Sequence, residues 1–489
     1  MWEWNATSLA GALKSAATRR SAPHVKPLHA VLLKLGLSAS AILATSLAHV
    51  ALRCGHPGYA RALFDEMPRR DVVSWTSLIT GHAHQGLHRD SLSLVRRMVE
   101  SGVAPNGYTL SGGLLACSGV GQTALAIGKE IHARVVKISM FGAVDSVVEN
   151  GVLDMYTRCG NVDYARRVFG VMVVKDVVAW NSMMAGCLGS GKAEEALALF
   201  ASMLSRGVGA DGFSCAIVLD ACGELALLKL GAQVHARVAG GGFEWDVVVR
   251  NSLVDMYAKC GCVDSAELVF KGAPTLDSVL WTTMISAYGK FGRAQDAVSM
   301  FDRMERLGIK RDGVTYLAVL SACSHGGLVR EGWRYFKFLF DGQSSVKLQP
   351  EHYGCMADLI CRRGCLEDAL EFIESMPFDS SVAAWSALLN SCRIYRDAKL
   401  GQLAASRLLE LDPENHSNWV ALSSMHALEG DWHETWMIRE SMYKEWVKKE
   451  PGCSWVELHD GVHVFLMADQ SHPELVNVLQ TLDSLKEDI

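Results

Sequence analysis

VVVRNSLVDMYAKCGCVDSAELVFKGAPTLD (Val247–Asp277), followed without a break by SVLWTTMISAYGKFGRAQDAVSMFDRMERLGIKRD (Ser278–Asp312), is the stretch from which the rest of the chain can be read. It contains two units, of 31 and 35 residues, and each ends in Asp. The same pair recurs as Ser146–Asp176 with Val177–Asp211, and as Ala41–Asp71 with Val72–Asn106. A third class of unit, marked by PLHA around His29, KEIHA around His132 and AQVHA around His235, covers 6–40, 107–145 and 212–246. The order is long, short, standard, three times over, then a variant long unit (313–349) and a variant short unit (350–381). A fixed period near 34 residues over most of a 489-residue chain predicts stacked repeats with the core between neighbours, in place of several compact domains.

Each unit reads as a helical hairpin. In the second helix of 177–211, Ala196, Leu197, Phe200, Met203 and Leu204 form one stripe at i, i+3 and i+4, which only a neighbouring helix can bury. First helices are expected to stop at Gly55, Gly160, Gly261 and Gly364 in the short units and at Gly86, Gly191 and Gly292 in the standard ones, because a left-handed residue after a helix favours Gly. Trp75, Trp180 and Trp281 share one register near the start of a first helix, and Trp385 and Trp419 continue it; core between hairpins is the expected role. The fold class is therefore all-α, a solenoid of helical hairpins.

Fourteen cysteines include two periodic sets, Cys117, Cys222 and Cys323, and Cys54, Cys159 and Cys260, and no C-x-x-C pair. Periodic cysteines are expected to pack as small hydrophobes, reduced, and to hold no metal. The formal charge is −6. It is uneven: 382–489 has 9 Lys/Arg against 17 Asp/Glu, net −8, leaving +2 for 1–381. The strongly basic footprint of many nucleic-acid binders is missing. No apolar run reaches the ~18 residues of a membrane span, so no membrane partner is expected. Up to Lys34 there is one acidic residue, Glu3, against Lys14, Arg19, Arg20, Lys26 and Lys34, a composition compatible with organellar targeting.

With these residues quoted, the chain resembles the plant pentatricopeptide repeat proteins of the PLS subclass, in which P, L and S repeats alternate. The runs that carry the resemblance are NSLVDMYAKCG (Asn251–Gly261), EHYGCMADLI (Glu351–Ile360), LLELDPEN (Leu408–Asn415) and KKEPGCSWVEL (Lys448–Leu458). It implies a right-handed superhelix of hairpins and four regions: a short N-terminal extension (1–5), a repeat array (6–381) ending in variant P, L and S units, two E motifs (382–447) and an E+ extension (448–489). The E and E+ tails imply a site-recognition factor for organellar C-to-U RNA editing. Relatives with their own deaminase carry an H-x-E motif, paired C-x-x-C ligands and a terminal Asp-Tyr-Trp. Here His472 and Glu474 have H-x-E spacing without the cysteine pair that zinc deaminase chemistry requires. The implied role is an adaptor with no catalytic residue, no metal and no cofactor. Its implied partners are single-stranded organellar RNA, a deaminase-bearing protein acting in trans and editing accessory proteins. The expected location is the mitochondrion, with the chloroplast as the alternative.

In such a stack the first helices line the concave side, and a residue one turn into each should face the groove beside the last residue of its unit. These pairs are Thr45 and Asp71, Thr76 and Asn106, Asn150 and Asp176, Asn181 and Asp211, Asn251 and Asp277, Thr282 and Asp312. Capping of the next helix accounts for the last residue alone, but not for Asn or Thr inside a helix. An Asn amide offers donor and acceptor to a pyrimidine edge, and a hydroxyl suits a purine. The family's pairing rule gives x-G-A-x-Y-Y-x-Y-G-x-x, where x marks long or degenerate units, with Gly354 at the reading position of the last. The implied target has G six and a pyrimidine seven nucleotides before the edited C. Val73, Val147, Val178, Val248 and Val279 resemble the apolar residues that flank bases in the family.

Two other functions remain open at this point. A binder of the same fold could serve splicing or transcript stability with a vestigial tail, and a two-helix repeat near 34 residues also describes peptide-binding tetratricopeptide scaffolds. His325 and His352 are expected to be turn or packing residues.

Overall fold

The structure is a computed structural model. It describes residues 11–13, 15, 25–36, 40–139, 145–273, 276–344, 346–377, 382–413, 415–444, 453–457, 462–466 and 477. The described chain is overwhelmingly helical and forms two compact bodies, residues 1–225 with 236–243, and residues 226–235 with 244–489.

In the first body, helices begin at Ala41, Val72, Gly107, Ser146, Val177 and Gly212, each at the first residue of a repeat. In the second body they begin at Val247, Ser278, Gly313, Pro350, Val382 and His416. Each of these is followed by the second helix of its hairpin, for example Val177–Leu188 by Ala193–Ser205 and Ser278–Lys290 by Ala294–Arg306. From Ala41 to Val382, first helices of the same body pack on their first-helix neighbours and on flanking second helices, while the His416–Leu428 helix packs on the second helices either side of it, so successive hairpins share one core. The link between the two helices depends on left-handed backbone: Gly261 has φ 83° and Gly292 has φ 74°, a region costly for a side chain bearing Cβ.

The periodic aromatic residues are core. Trp75, Trp180 and Trp281 are at most 2% exposed. Each meets edge-on a Phe from the second helix of the short repeat before it: Phe64 at 4.6 Å, Phe169 at 4.8 Å and Phe270 at 5.1 Å between centroids. A guanidinium covers each indole, from Arg97, Arg206 and Arg303. Trp385 is buried and Trp419 half-buried. Cys117, Cys222 and Cys323 are wholly buried, and burial pushes the Cys117 and Cys323 thiols up to about 12, so they stay protonated and inert. The other periodic set differs: Cys159 is buried, while Cys54 and Cys260 are half-buried at helix ends.

The histidines that mark the long repeats also have a structural use. His132 Nδ1 bonds Tyr156 OH at 3.0 Å and His235 Nδ1 bonds Tyr257 OH at 2.9 Å, each tying a long repeat to the next short one. His29 bonds Tyr59 at 2.6 Å. His352 is buried; its Nδ1 accepts the N–H of Gln349, so Nε2 carries the proton and donates to the Gly313 carbonyl at 2.9 Å. His325 is exposed in the last turn of its helix.

After the last hairpin, Cys453–Glu457 and Val462–Leu466 pair antiparallel, with Cys453 opposite Leu466 and Glu457 opposite Val462. This β-hairpin is an addition to the all-α expectation. It starts in the PGCSW box, and both strands are rich in β-branched and aromatic residues with no helical stripe. His472 and Glu474 lie outside the described residues.

Candidate nucleic-acid interface

Residue two and residue five of a first helix stand three apart and share one face. At residue two the chain places an exposed hydrophobe in nine successive repeats: Ile42, Val73, Tyr108, Val147, Val178, Phe213, Val248, Val279 and Val314, from 47% exposed at Val248 to 78% at Ile42. Five of these are the valines singled out in the sequence. Ile42, Tyr108, Phe213 and Val314 were missed, although the same register identifies them. Residue five, the Thr or Asn of each pair, is half-buried at all six positions.

The last residue of each repeat is the N-cap of the next helix. Asp71, Asn106, Asp176, Asp211, Asp277 and Asp312 each accept the backbone N–H three residues on, from Ser74, Thr109, Ala179, Ser214, Leu280 and Thr315, at 2.8 to 2.9 Å. Capping is therefore real at every pair. It also brings the last residue to the side of residue five. The Asn150 amide donates to both carboxylate oxygens of Asp176 at 3.1 and 3.0 Å, Asn181 donates to Asp211 at 3.0 Å, and Asn251 donates to Asp277 at 3.4 Å.

At the other pairs the link runs through a third residue or is missing. Thr109 donates its hydroxyl proton to Asn106 Oδ1 at 2.9 Å and lies 2.6 Å from the Thr76 hydroxyl. Thr315 likewise donates to Asp312 at 2.8 Å and lies 2.8 Å from the Thr282 hydroxyl. With the proton of Thr109 committed to Asn106, Thr76 donates inward and turns only lone pairs outward. Thr282 has the Ser278 carbonyl as a further inward acceptor, at 2.8 Å, with the same result. No hydrogen bond joins Thr45 to Asp71, and Ser74 turns its hydroxyl to the Asp71 carbonyl.

Electrostatics sharpen two of the caps. Burial opposes ionisation of Asp211, but the Ser214 N–H and the Asn181 amide outweigh it and hold the carboxyl below its ordinary range. At Asp312 burial is outweighed in the same way by the Thr315 N–H and hydroxyl. Both present fixed negative charge at neutral pH. In the long repeats residue five is Ser111, Ala216 or Leu317, and Asp145 and Asp246 cap the next helices through Val147 N–H and Val248 N–H. Gly354, at the same register of the last short repeat, is buried.

Family models match most of this arrangement from residue 70 onward. The PPR repeat family matches 70–117, 175–224 and 276–325, the PPR repeat matches 150–177, 248–272, 314–340 and 351–379, and the E motif matches 395–457. A pentatricopeptide repeat-containing protein of Arabidopsis thaliana, named putative and mitochondrial, is 35% identical over 98% of this chain and 76% of its own length. The chain belongs to the pentatricopeptide repeat family. Its E motif fits the PLS subclass.

Two further pentatricopeptide repeat relatives from Arabidopsis thaliana bracket the similarity. One, named mitochondrial, is 36% identical over 87% of this chain and 66% of its own length; another, named chloroplastic, is 34% identical over 95% and 54%. The chain thus spans about half to two thirds of these two relatives. Among solved structures, the pentatricopeptide repeat protein PPR10 in complex with an 18-nt psaJ RNA element superposes with a TM-score of 0.63 at 17% identity, covering 84% of this chain and 61% of that one. That similarity is one of fold: a solenoid of helical hairpins.

Proposed function

We propose that this pentatricopeptide repeat protein binds single-stranded RNA sequence-specifically, each short or standard repeat meeting one base through its residue-five and last-residue pair. The observation that carries this reading is chemical complementarity. Thr76 with Asn106 presents an acceptor beside an amide donor, which suits the amino group and ring nitrogen of adenine. Thr282 with Asp312 presents two acceptors, which suits the adjacent N–H donors of guanine. An Asn amide held by a carboxylate through one N–H keeps its second N–H for a pyrimidine edge. The exposed hydrophobes at residue two supply contact with base faces, so affinity does not depend on a strongly basic surface.

The array is proposed to span 6–381, after a short extension (1–5), with E motifs at 382–447 and an E+ extension at 448–489. That tail is acidic, carries the matched E motif and is proposed to recruit a deaminase in trans, making the protein a site-recognition factor for organellar C-to-U editing. The chain itself is then an adaptor and not an enzyme. Relatives named mitochondrial and chloroplastic support an organelle, and the mitochondrion is the first to test. Binding of the purified chain to RNA oligomers of the pattern x-G-A-x-Y-Y-x-Y-G-x-x tests recognition. Asn251→Thr should move the preference at its one position from pyrimidine to guanine by about 10-fold, and no change there would defeat the register. Sequencing organellar transcripts of a null mutant tests editing: one lost C-to-U site behind this pattern supports it, and intact editing everywhere refutes it.

A further inference from the structure

We propose that Thr109, Ser214 and Thr315 are specificity-positioning residues: each fixes, through one buried hydroxyl, which polar edge the preceding Thr76, Asn181 or Thr282 turns toward a base. The inference rests on the base-reading role proposed above and adds residues that never face the RNA. All three are 0% exposed, at the third position of the helix that follows a standard repeat. Each reaches a side chain 33 residues earlier, at 2.6, 2.7 and 2.8 Å. Capping of their own helix does not require that second bond.

The short repeats supply the contrast. There the third position of the following helix is Ser74, Ala179 or Leu280, and none donates a hydroxyl to residue five. In these repeats Asn150 Oδ1 and Asn251 Oδ1 are buried without a hydrogen-bond partner, whereas the single Ser214 hydroxyl proton goes to Asn181 Oδ1 at 2.7 Å, the shorter of its two contacts, the other being Asp211 Oδ1 at 2.9 Å. The difference bears on pyrimidine choice. Uracil presents an acceptor then a donor at positions 4 and 3, and cytosine presents a donor then an acceptor, so turning an amide over exchanges its preference. Asn181 is pinned at both ends, by Asp211 and by Ser214. Asn150 is pinned at its amino end only, and Asn251 there by one 3.4 Å bond. Discrimination between uracil and cytosine should therefore be sharpest at repeat 177–211, intermediate at 146–176 and weakest at 247–277.

The test measures binding of the full chain to oligomers that carry U or C opposite one repeat at a time. Ser214→Ala should cut discrimination at the 177–211 position about 5-fold while leaving other positions unchanged, and Ser214→Thr, which keeps the hydroxyl, should restore it. Ala179→Ser removes nothing and adds the missing donor beside Asn150, so discrimination at the 146–176 position should rise by about the same factor. Asn181→Ala separates the two levels of the idea. If Asn181→Ala abolishes the preference but Ser214→Ala and Ala179→Ser leave it untouched, base reading stands and the positioning role is overturned. If Asn181→Ala also changes nothing, base reading fails at this repeat and the positioning role fails with it.

Discussion

Trp281 and Thr282 are neighbours in the chain and belong to different regimes. The first faces a buried seam that is the same in every standard repeat: Trp75, Trp180 and Trp281 each meet a Phe edge-on beneath an Arg. The second faces a half-buried rim where the side chain changes from Thr76 to Asn181 to Thr282 while its partner changes from Asn106 to Asp211 to Asp312. One face is repeated because hairpins must interlock at fixed geometry. The other is free to vary, since swapping Thr for Asn there alters hydrogen bonds and little packing. If the division is real, seam variants should cost stability without altering base preference, and rim variants should do the reverse.

The largest expected effect is on the seam. Trp281→Ala removes a fully buried indole and should cost about 3–5 kcal/mol by denaturant unfolding, with base preference at its repeat intact at low temperature. A Cβ at Gly289 would lie 2.7 Å from Ala322 Cβ and 3.0 Å from its Cα, so neither side can yield by a rotamer change. Gly289→Val should therefore destabilise by about 1–3 kcal/mol, and a stable variant would show that these helices separate easily. On the rim, Asp312→Asn keeps the cap and should change stability by less than about 0.5 kcal/mol. It replaces an acceptor by a donor, however, and should move preference at that one position from guanine toward adenine by about 5-fold in oligomer binding.

The smallest effect concerns pH. Asp211 and Asp312 have folded-state pKa values below their unfolded ones, so their contribution is complete above the ordinary aspartate value near ~4 and is lost only as pH falls through the folded value. Thermal unfolding and base preference at these two repeats should be flat between pH 8 and 5. A fall in preference within that range would mean that the carboxylates are not held as described.

Much of this was legible from residues alone, for identifiable reasons. First helices start where the repeat period put them, because an Asp or Asn cap followed by a 3.6-residue stripe leaves little freedom of phase. The glycines after them have the left-handed backbone that their position required. The exposed hydrophobes were only partly seen: the valines stood out as a set, while Ile42, Tyr108, Phe213 and Val314 occupy the same register with different side chains. Thr109, Ser214 and Thr315 looked like ordinary members of a cap, since N-x-x-T and D-x-x-S are familiar helix starts. Only their bonds to residues 33 positions earlier distinguish them. The β-hairpin of the tail was likewise hidden, as two five-residue strands give a short signal beside a long helical period.

The sequence by itself determined the repeat, its helices, its turns and the set of polar residues that recur in step, because each depends on local spacing and on what a single residue type can do. The tertiary structure decided how those residues are held. Asn181 and Asn251 are the same residue at the same register, yet one is pinned at both ends and the other at one. That difference arises from the neighbouring repeat, where Ser214 brings a hydroxyl and Leu280 brings none, and it exists only once two hairpins are packed together.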